Sequence, residues 1–421
     1  MVKILHLADI HLGMENYGKT DKSGINSRLL DFLKSFDYAV NYAIKEKVEF
    51  FLFAGDAFKS REPTQTQQRE FAKRIKKLSQ ENIKVILVIG NHDLPNAYGK
   101  ADTLEIYKTL EVENVYISKE PELLKFRKMG ERQWELGNQI ETPGFANECF
   151  QIATLPWITR SSLVGKEDYQ NKNIEEVNIM VGEKITQTIK DLAEKVDPNY
   201  PAVMVAHSTV AGAEFGAERK VYVGSDIVLS LNNFIRPWKY TALGHLHKFQ
   251  VLSQDPPVIY SGSIDRVDFS EEKEDKGFVI AEIEKNNKTN YSFIKIPARK
   301  FISINVDIGS DVSDPVEIIK KEIDKYSLED AVVKVNIKIS EDMAGLIDNR
   351  EVSKYLDNAY YIASITKEII KNKKTETELK DIESFTPIMA LDKYLSISGI
   401  KENKLKDYRS YAEKLINDIE E

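Results

Sequence analysis

The chain has 421 residues, a formal net charge of −8 and 42% hydrophobic residues. At roughly 100–200 residues per domain, this length predicts two or three domains with sizeable cores. No apolar stretch approaches the ~18 residues of a membrane-spanning helix, and the single cysteine, Cys149, excludes an internal disulfide. Because the N-terminus has no secretory pattern, we expect a cytoplasmic protein.

Five short apolar runs are predicted to be buried strands, because they are rich in β-branched and aromatic residues. They are residues 2–5, 48–54, 85–89, 202–205 and 240–243. Between the first two runs, residues 26–47 carry apolar side chains on one helical face. The order strand, helix, strand predicts a parallel α/β sheet, in which a ligand binds beyond the carboxyl ends of the strands.

A polar motif follows each of these five runs. In chain order the motifs are Asp9-Ile10-His11, Gly55-Asp56, Gly90-Asn91-His92-Asp93, Ala206-His207 and Gly244-His245-Leu246-His247. Carboxylate, amide and imidazole groups bind metals, and the set is large enough for two ions. One such motif alone is more often a turn or a cap, but five in order predict a dinuclear metal site. His6 lies inside the first strand, and we expect it to be a hydrogen-bonded core histidine.

The motifs resemble those of the calcineurin-like metallophosphoesterases, and more closely those of the SbcD-like nucleases of double-strand break repair. A further matching run is Tyr260-Ser261-Gly262-Ser263-Ile264-Asp265-Arg266. The resemblance implies an α/β fold in which a metallophosphoesterase β-sandwich is flanked by helices. It also implies an α+β capping domain and a C-terminal helical segment that binds a partner.

By position, the resemblance also implies the roles of the site residues. The implied metal ligands form two triads and one bridging residue: Asp9, His11 and His247; Asn91, His207 and His245; and Asp56. His92 is the implied catalytic residue, which protonates the leaving oxygen or steadies charge on the phosphate, and Asp93 orients its ring. Family members favour manganese, so we expect two Mn²⁺ ions, although the ligand types leave Mg²⁺, Fe²⁺ and Zn²⁺ open.

Three basic residues are candidate contacts for the DNA backbone: Lys59, Arg61 and Arg266. Some relatives carry a histidine three residues after the bridging aspartate, where this chain has Lys59. A lysine can neutralise a phosphate, but with a reference pKa of ~10.4 it cannot act as a neutral proton shuttle. For each of the three, ordinary solvated surface charge is the alternative interpretation.

We predict four parts in the chain. Residues 1–298 form the nuclease domain, 299–370 the capping domain that binds DNA, 371–385 a linker and 386–421 a helical segment that binds an ATPase. Within the cap, residues 301–308, 331–339 and 360–369 are predicted strands, and 315–326 a predicted helix. The implied partner is an SMC-like ATPase of the SbcC type, and the candidate contact residues are Leu391, Leu405, Tyr408 and Leu415. The alternative is that this segment folds back on the nuclease domain.

The resemblance implies a manganese-dependent exonuclease and endonuclease that cleaves DNA ends and hairpins and is associated with the nucleoid. Two other functions remain open: a small-molecule (nucleotide) metallophosphoesterase, and a catalytically silent scaffold of the same fold. SbcD-like nucleases dimerise through helices that correspond here to residues 65–79 and 103–110. We therefore expect a homodimer, with candidate interface residues in the second helix: Leu104, Ile106, Tyr107 and Leu110.

Overall fold

A computed structural model describes residues 1–22, 24–95, 99–137, 148–163, 173–216, 226–284, 288–309, 312–341, 343–370, 389, 391 and 408–412. The first of two compact units comprises Met1–Ser303, Leu328–Val333 and Asn358–Ala363. The second comprises the described residues of Ile304–Ser327, Lys334–Asp357 and Ser364–Glu421. No helix in this described part of the chain is long and apolar enough to cross a membrane. The predicted linker, residues 371–385, lies outside the described residues.

The strands belong to four sheets. Their bounds are β1 (Val2–Leu7), β2 (Phe50–Phe53), β3 (Lys84–Val88), β4 (Val115–Ser118), β5 (Glu122–Gly130), β6 (Gln133–Leu136), β7 (Cys149–Leu155), β8 (Ala202–His207), β9 (Thr209–Val210), β10 (Val228–Leu229), β11 (Thr241–Gly244), β12 (Gln250–Gln254), β13 (Pro257–Tyr260), β14 (Gly277–Ile283), β15 (Thr289–Lys295), β16 (Phe301–Ile308), β17 (Val332–Ser340) and β18 (Tyr361–Ile370). One large sheet has the order β15-β14-β1-β2-β3-β4 and the other β12-β13-β11-β8-β7-β5-β6. The two small sheets are β10-β9 and β16-β17-β18.

The helices flank these sheets. Their bounds are α1 (Ser27–Lys45), α2 (Gln65–Gln80), α3 (Glu105–Thr109), α4 (Arg160–Leu163), α5 (Ile174–Glu194), α6 (Pro315–Ile323) and α7 (Asn349–Lys354). Short 3₁₀ turns lie at Leu231–Phe234, Phe269–Glu271 and Ala344–Leu346. Helix α1 begins after Asn26, whose side chain accepts a hydrogen bond from the Arg28 N–H. Thr64 and Asn173 form capping boxes at the starts of α2 and α5.

The two large sheets pack face to face, with helices on both outer faces. Side chains alternate along β1, so Ile4 joins the core between the sheets while Leu5 packs under α1 and α2. On the other outer face, α5 covers the second sheet through residues such as Ile185. Because their strands are covered on both faces, they appear in the sequence as continuous apolar runs. The predicted α/β fold class, a β-sandwich flanked by helices, is confirmed.

The strands that precede the polar motifs lie in two different sheets. β1, β2 and β3 are parallel neighbours in the first sheet. β8 and β11 are parallel neighbours in the second. Both sets of carboxyl ends lie at the same end of the sandwich, because Asp9 accepts hydrogen bonds of 3.1 and 3.0 Å from the His245 N–H. The motifs therefore face each other across the sandwich, rather than along the edge of one sheet.

His6 joins the two sheets just before the first motif. Its Nδ1 lies 2.8 Å from the Tyr240 hydroxyl and its Nε2 lies 3.2 Å from the Leu243 carbonyl oxygen. The carbonyl can only accept, so Nε2 carries the proton and Nδ1 accepts from the hydroxyl. The prediction of a hydrogen-bonded core histidine is confirmed.

This burial predicts a specific dependence of stability on pH. Burial lowers the pKa of His6 from 6.5 to about 3, so below pH 6.5 the unfolded state binds a proton that the folded state excludes. As the pH falls through this window, His6 should reduce the free energy of unfolding by about 1.4 kcal/mol per pH unit. Denaturant unfolding of metal-free protein between pH 7 and pH 4 should show a shallower loss for His6→Gln.

The control is Tyr240→Phe, which removes the hydroxyl partner but keeps the imidazole. Its free energy of unfolding should be lower than that of the parent at every pH, while its slope against pH stays parental. Parallel curves for His6→Gln and the parent would show that His6 does not titrate between the two states as this burial requires.

The second unit combines β16, β17 and β18 with α6 and α7. Ile319 and Ile323 on α6 are buried, as are Val335 and Ile337 on β17. The strands predicted at 301–308, 331–339 and 360–369 occur with ends shifted by at most one residue, and the predicted helix ends three residues early, at Ile323. Its assignment as a DNA-binding cap remains a prediction.

Candidate metal centre

The potential metal ligands of the five motifs converge between the ends of the two sheets. Asp9 and His11 follow β1, Asp56 follows β2 and Asn91 follows β3. The second sheet contributes the three remaining histidines: His207, His245 and His247. All seven side chains are buried.

Much of the backbone here is held in an uncommon conformation. Asp9, His11, Asp56 and His245 have φ angles of 52°, 48°, 60° and 104°. Such left-handed angles cost about 1–3 kcal/mol for a residue other than glycine and persist only where the surroundings enforce them. Here the loops after β1 and β2 are joined by hydrogen bonds of 3.0 Å from Asp9 N–H to Gly55 and 3.1 Å from His11 N–H to Asp56.

Two glycines permit the close approach of these loops. A Cβ on Gly90 would overlap the backbone nitrogen and carboxylate of Asp56. A Cβ on Gly244 would overlap the carbonyl oxygen of Ala54. The absent side chains therefore let the first sheet, and the loop that carries Asp56, pack directly against their neighbours.

One group of potential ligands surrounds His11. Its Nε2 lies 3.0 Å from Nε2 of His247, 4.0 Å from Oδ1 of Asp9 and 3.7 Å from Oδ2 of Asp56. The ligand atoms of Asp9, His11 and His247 all lie within 4.8 Å of one another. The Nδ1 atom of His11 is buried and has no hydrogen-bond partner among the described residues.

A second group surrounds Asn91. Its Oδ1 lies 2.9 Å from Nε2 of His207 and 3.1 Å from Nδ1 of His245. His207 Nε2 is also 3.6 Å from Oδ2 of Asp56. The same Asp56 oxygen therefore faces both groups, as a bridging carboxylate would.

The hydrogen bonds on the outer side of three histidines decide which nitrogens are free inside. His207 Nδ1 lies 2.7 Å from the Ala54 carbonyl, His245 Nε2 lies 3.0 Å from an Asp226 oxygen, and His247 Nδ1 lies 2.9 Å from a Glu271 oxygen. Carbonyl and carboxylate oxygens only accept, so these outer nitrogens are the donors. In the neutral rings, the nitrogens that face inward therefore present lone pairs.

These inward lone pairs fit a pair of cations. Burial lowers the pKa of His207 to about 4. Burial, together with the charge on His247, holds the pKa of His11 well below its ordinary value. Both rings are therefore neutral at pH 7 in this arrangement. Neutral imidazoles facing two carboxylates and an amide oxygen form a donor set suited to divalent transition metals.

His92 lies at the edge of the cluster and is half-buried. Its backbone N–H donates to Asp56 Oδ1 at 2.9 Å, and its Nδ1 lies 2.9 Å from the Lys59 carbonyl oxygen. The carbonyl requires a proton on Nδ1, so Nε2 is the ring atom left to meet a substrate. Burial lowers the pKa of His92, and the ammonium of Lys59 adds to this effect while Asp56 opposes it.

Asp93, predicted to orient the His92 ring, binds backbone groups instead. Its carboxylate accepts hydrogen bonds of 2.8, 3.0 and 3.0 Å from the N–H groups of Asp56, Ala57 and Gly90. These bonds hold the loop of Asp56 against the loop that follows β3. The orienting acceptor for His92 is the Lys59 carbonyl, which the sequence motif does not reveal because any residue has one.

The three basic candidates occupy different environments. Lys59 and Arg61 are exposed, on the loop that follows Asp56. The Arg266 guanidinium donates to the carbonyl oxygens of Glu272, Arg299 and Glu274 at 3.3, 2.9 and 2.7 Å. This geometry favours a structural role for Arg266.

Few of the candidate partner contacts are among the described residues. Leu391 and Tyr408 have helical backbone, and Tyr408 is exposed. Leu405 and Leu415 lie outside the described residues, as does most of the segment 386–421.

Sequence reasoning missed the groups behind the histidines. Glu271 begins a run of charged residues, 271–276, that resembles a solvated loop, yet it is fully buried. Asp226 belongs to no motif. Trp157 stacks against His245 with ring centroids 4.8 Å apart, and its place after the strand-like run that ends at Leu155 was its only signal.

Comparison with known proteins agrees with these motifs. A family model described as calcineurin-like phosphoesterase matches residues 2–249. The SbcD protein of the nuclease SbcCD of Staphylococcus epidermidis is 25% identical over 324 residues, 76% of this chain and 76% of that protein. The DNA double-strand break repair protein Mre11 of Thermoplasma acidophilum is 22% identical over 391 residues, 90% of this chain and 88% of that protein. The SbcD protein of the nuclease SbcCD of Bacillus subtilis is 24% identical over 346 residues, 78% of this chain and 81% of that protein.

Proposed function

This chain belongs to the calcineurin-like phosphoesterase family, and on that premise we propose that it is the nuclease component of a DNA double-strand break repair complex. Its substrate is DNA, and its reaction is metal-dependent phosphodiester hydrolysis at ends and hairpins. The observation that carries the proposal is the buried cluster of inward-facing ligand atoms, in a chain that matches proteins named as such nucleases over most of its length.

We assign the ligands to two positions that share one carboxylate. Asp9, His11 and His247 hold one ion, Asn91, His207 and His245 hold the other, and Asp56 bridges them. Two divalent cations bound there would acidify water and neutralise the charge that develops on the phosphate. Manganese is our proposed metal, and parallel assays with Mg²⁺, Fe²⁺ and Zn²⁺ test that choice.

His92 provides the proton chemistry of this chain. The Lys59 carbonyl fixes Nδ1 as a donor, so only Nε2 can reach the reacting phosphate. In the neutral ring Nε2 accepts a proton, and in the imidazolium it donates one to the leaving oxygen. Lys59 and Arg61, exposed on the same loop, are the proposed contacts to neighbouring DNA phosphates.

A comparison of substrates tests the proposed function. Purified protein with Mn²⁺ should cleave labelled duplex, hairpin and single-stranded DNA, with a higher kcat/KM than for nucleotides or cyclic nucleotides. Hydrolysis of nucleotides without cleavage of DNA would support the small-molecule enzyme. Two bound Mn²⁺ ions without hydrolysis of any substrate would support the silent scaffold.

We propose a homodimer through α3, with a corrected set of interface residues. Leu104 and Tyr107 are buried in the core of the first sheet, whereas Ile106 and Leu110 are 52% and 67% exposed. Ile106→Asp with Leu110→Asp should convert a dimer into a monomer, because each charge would be buried unpaired at the interface. Light scattering at micromolar concentration measures the mass.

Leu346→Asp is the matched control, since Leu346 is 61% exposed in the second unit. This variant should keep the parental mass. A parent that is already monomeric, or a double variant that stays dimeric, would contradict the proposed interface.

We also propose that residues 386–421 bind an SMC-like ATPase of the SbcC type. Leu405→Asp with Leu415→Asp should weaken binding by about 3 kcal/mol or more, on the order of 100-fold in Kd, because unpaired charges would be buried. Fluorescence anisotropy with the candidate ATPase measures this affinity. Unchanged affinity together with a lower melting temperature of the isolated protein would instead support helices folded back on the nuclease domain.

A further inference from the structure

Two histidines of the cluster are held from behind by carboxylates that do not belong to the predicted ligand set. On the basis of the proposed function, we infer that Glu271 and Asp226 are positioning residues, each for one of the two metal positions. Glu271 orients His247, and Asp226 orients His245. The two carboxylates therefore control the two ions separately.

Glu271 holds His247 through a buried ion pair. One oxygen lies 2.9 Å from His247 Nδ1, and the other accepts a 2.8 Å contact from the ammonium of Lys276 and a 2.9 Å bond from the Val267 N–H. Glu271 is 0% and Lys276 2% exposed. A charged pair this deep needs all its hydrogen bonds, so the Glu271 oxygens have little freedom to move.

Lys276 also contacts His247 directly. Its ammonium donates to the His247 carbonyl oxygen at 3.1 Å, to Ser263 Oγ at 3.0 Å and to Glu274 at 2.8 Å. The ion pair therefore holds both the backbone and the ring of His247. With Nδ1 fixed as the donor to Glu271, Nε2 is the nitrogen that faces Asp9 and His11.

Asp226 holds His245 in a more open setting. Its Oδ2 lies 3.0 Å from His245 Nε2 and accepts a 3.0 Å bond from the Thr209 hydroxyl. The indole of Trp157 lies against the same imidazole, at 4.8 Å between centroids and 34° between planes. Asp226 is half-buried and borders a groove along α5 that Glu183 also lines.

A carboxylate behind a ligating imidazole fixes its tautomer and orientation and raises its basicity, and its loss typically weakens metal binding by about 10–100-fold. His247 lies in the group with Asp9 and His11, whereas His245 lies in the group with Asn91 and His207. Removing one outer carboxylate should therefore weaken one ion and leave the other nearly unchanged.

The test measures Mn²⁺ binding without substrate. Calorimetric titration of Glu271→Gln and of Asp226→Asn should each show one Mn²⁺ ion bound about 10–100-fold more weakly. Electron paramagnetic resonance should show a mononuclear Mn²⁺ signal at concentrations where the parent has a coupled pair. Each variant is then combined with His11→Ala, which weakens the position of His247: Asp226→Asn should add a further loss there, and Glu271→Gln should add almost none.

Two controls separate positioning from stability. Glu274→Gln removes a carboxylate from the same Lys276 without touching His247, and Glu183→Gln removes one from the groove beside Asp226. Both should keep the parental affinities. If Glu274→Gln loses Mn²⁺ as strongly as Glu271→Gln does, the effect belongs to the lysine cluster and the inference fails for Glu271.

Parental affinity for both ions in folded Glu271→Gln and Asp226→Asn, checked by melting temperature, would overturn the inference. If Glu271→Gln does not fold, Asp226→Asn alone decides, because its carboxylate lies at the edge of the core. A parent that binds two Mn²⁺ ions, and loses one in each variant, supports the inference even if it cleaves no DNA. That result would contradict only the proposed function.

Discussion

Replacing Asp56 with asparagine is expected to remove both metal ions and, with them, phosphodiester hydrolysis. Asp56 Oδ2 lies 3.7 Å from His11 Nε2 and 3.6 Å from His207 Nε2, so one oxygen serves both groups. In Asp56→Asn, Oδ1 can still accept from the His92 N–H, which leaves the amide NH₂ facing the two histidines. A donor without charge then occupies the place of the bridging oxygen.

Calorimetric titration with Mn²⁺ measures the effect. We expect affinity to fall by more than about 100-fold at both positions, beyond the range for loss of an outer group. Glu62→Gln is the control, because Glu62 is an exposed carboxylate a few residues along the same loop. Asp56→Asn that still binds two ions with parental affinity would refute the bridging assignment.

His92→Ala is expected to separate metal binding from catalysis. Proton transfer by a positioned side chain contributes roughly 10²–10⁴-fold, so kcat for DNA cleavage should fall by that factor. Both Mn²⁺ ions should remain bound, because none of the assigned ligand atoms belongs to the His92 ring. Single-turnover cleavage of labelled DNA, with Mn²⁺ stoichiometry measured on the same sample, tests both statements.

Asp56→Asn provides the contrast, since it should lose activity together with the metal. If His92→Ala cleaves DNA at the parental rate with both ions bound, His92 is not the proton donor. If it loses an ion instead, His92 belongs to the metal centre rather than to the proton chemistry.

The sequence was sufficient to predict the strands and the motifs that follow them. Val85 to Ile89 and Ala202 to Val205 are apolar and β-branched, and such runs form strands whichever sheet they join. Because a polar motif follows each run directly, the strand end brings the motif to the end of the sandwich. The family and the fold class are confirmed on this basis.

The groups that support the ligands were beyond sequence reasoning. Glu271 and Lys276 lie in a strongly charged run, and such a run is ordinarily solvated. Only the tertiary structure shows that this pair is buried and neutralised internally. Asp226 has no local pattern, because its partner His245 is 19 residues away.

Some side-chain environments were assigned wrongly for the same reason. Leu104 and Tyr107 have the apolar character of an interface, but they fill the core and leave Ile106 and Leu110 outside. Asp93 adjoins His92 in sequence, yet its carboxylate binds the N–H groups of Asp56, Ala57 and Gly90. Sequence neighbours show which residues share a loop, not which atoms meet.

The central claim is that carboxylates of one sheet and histidines of the other form a single dinuclear centre. Anomalous diffraction at the manganese edge, from crystals grown with Mn²⁺, tests it most directly. We predict two peaks about 3.5–4 Å apart on either side of the Asp56 carboxylate. One peak should lie nearest Asp9, His11 and His247, and the other nearest Asn91, His207 and His245. A single peak, or two peaks that do not share Asp56, would contradict the account.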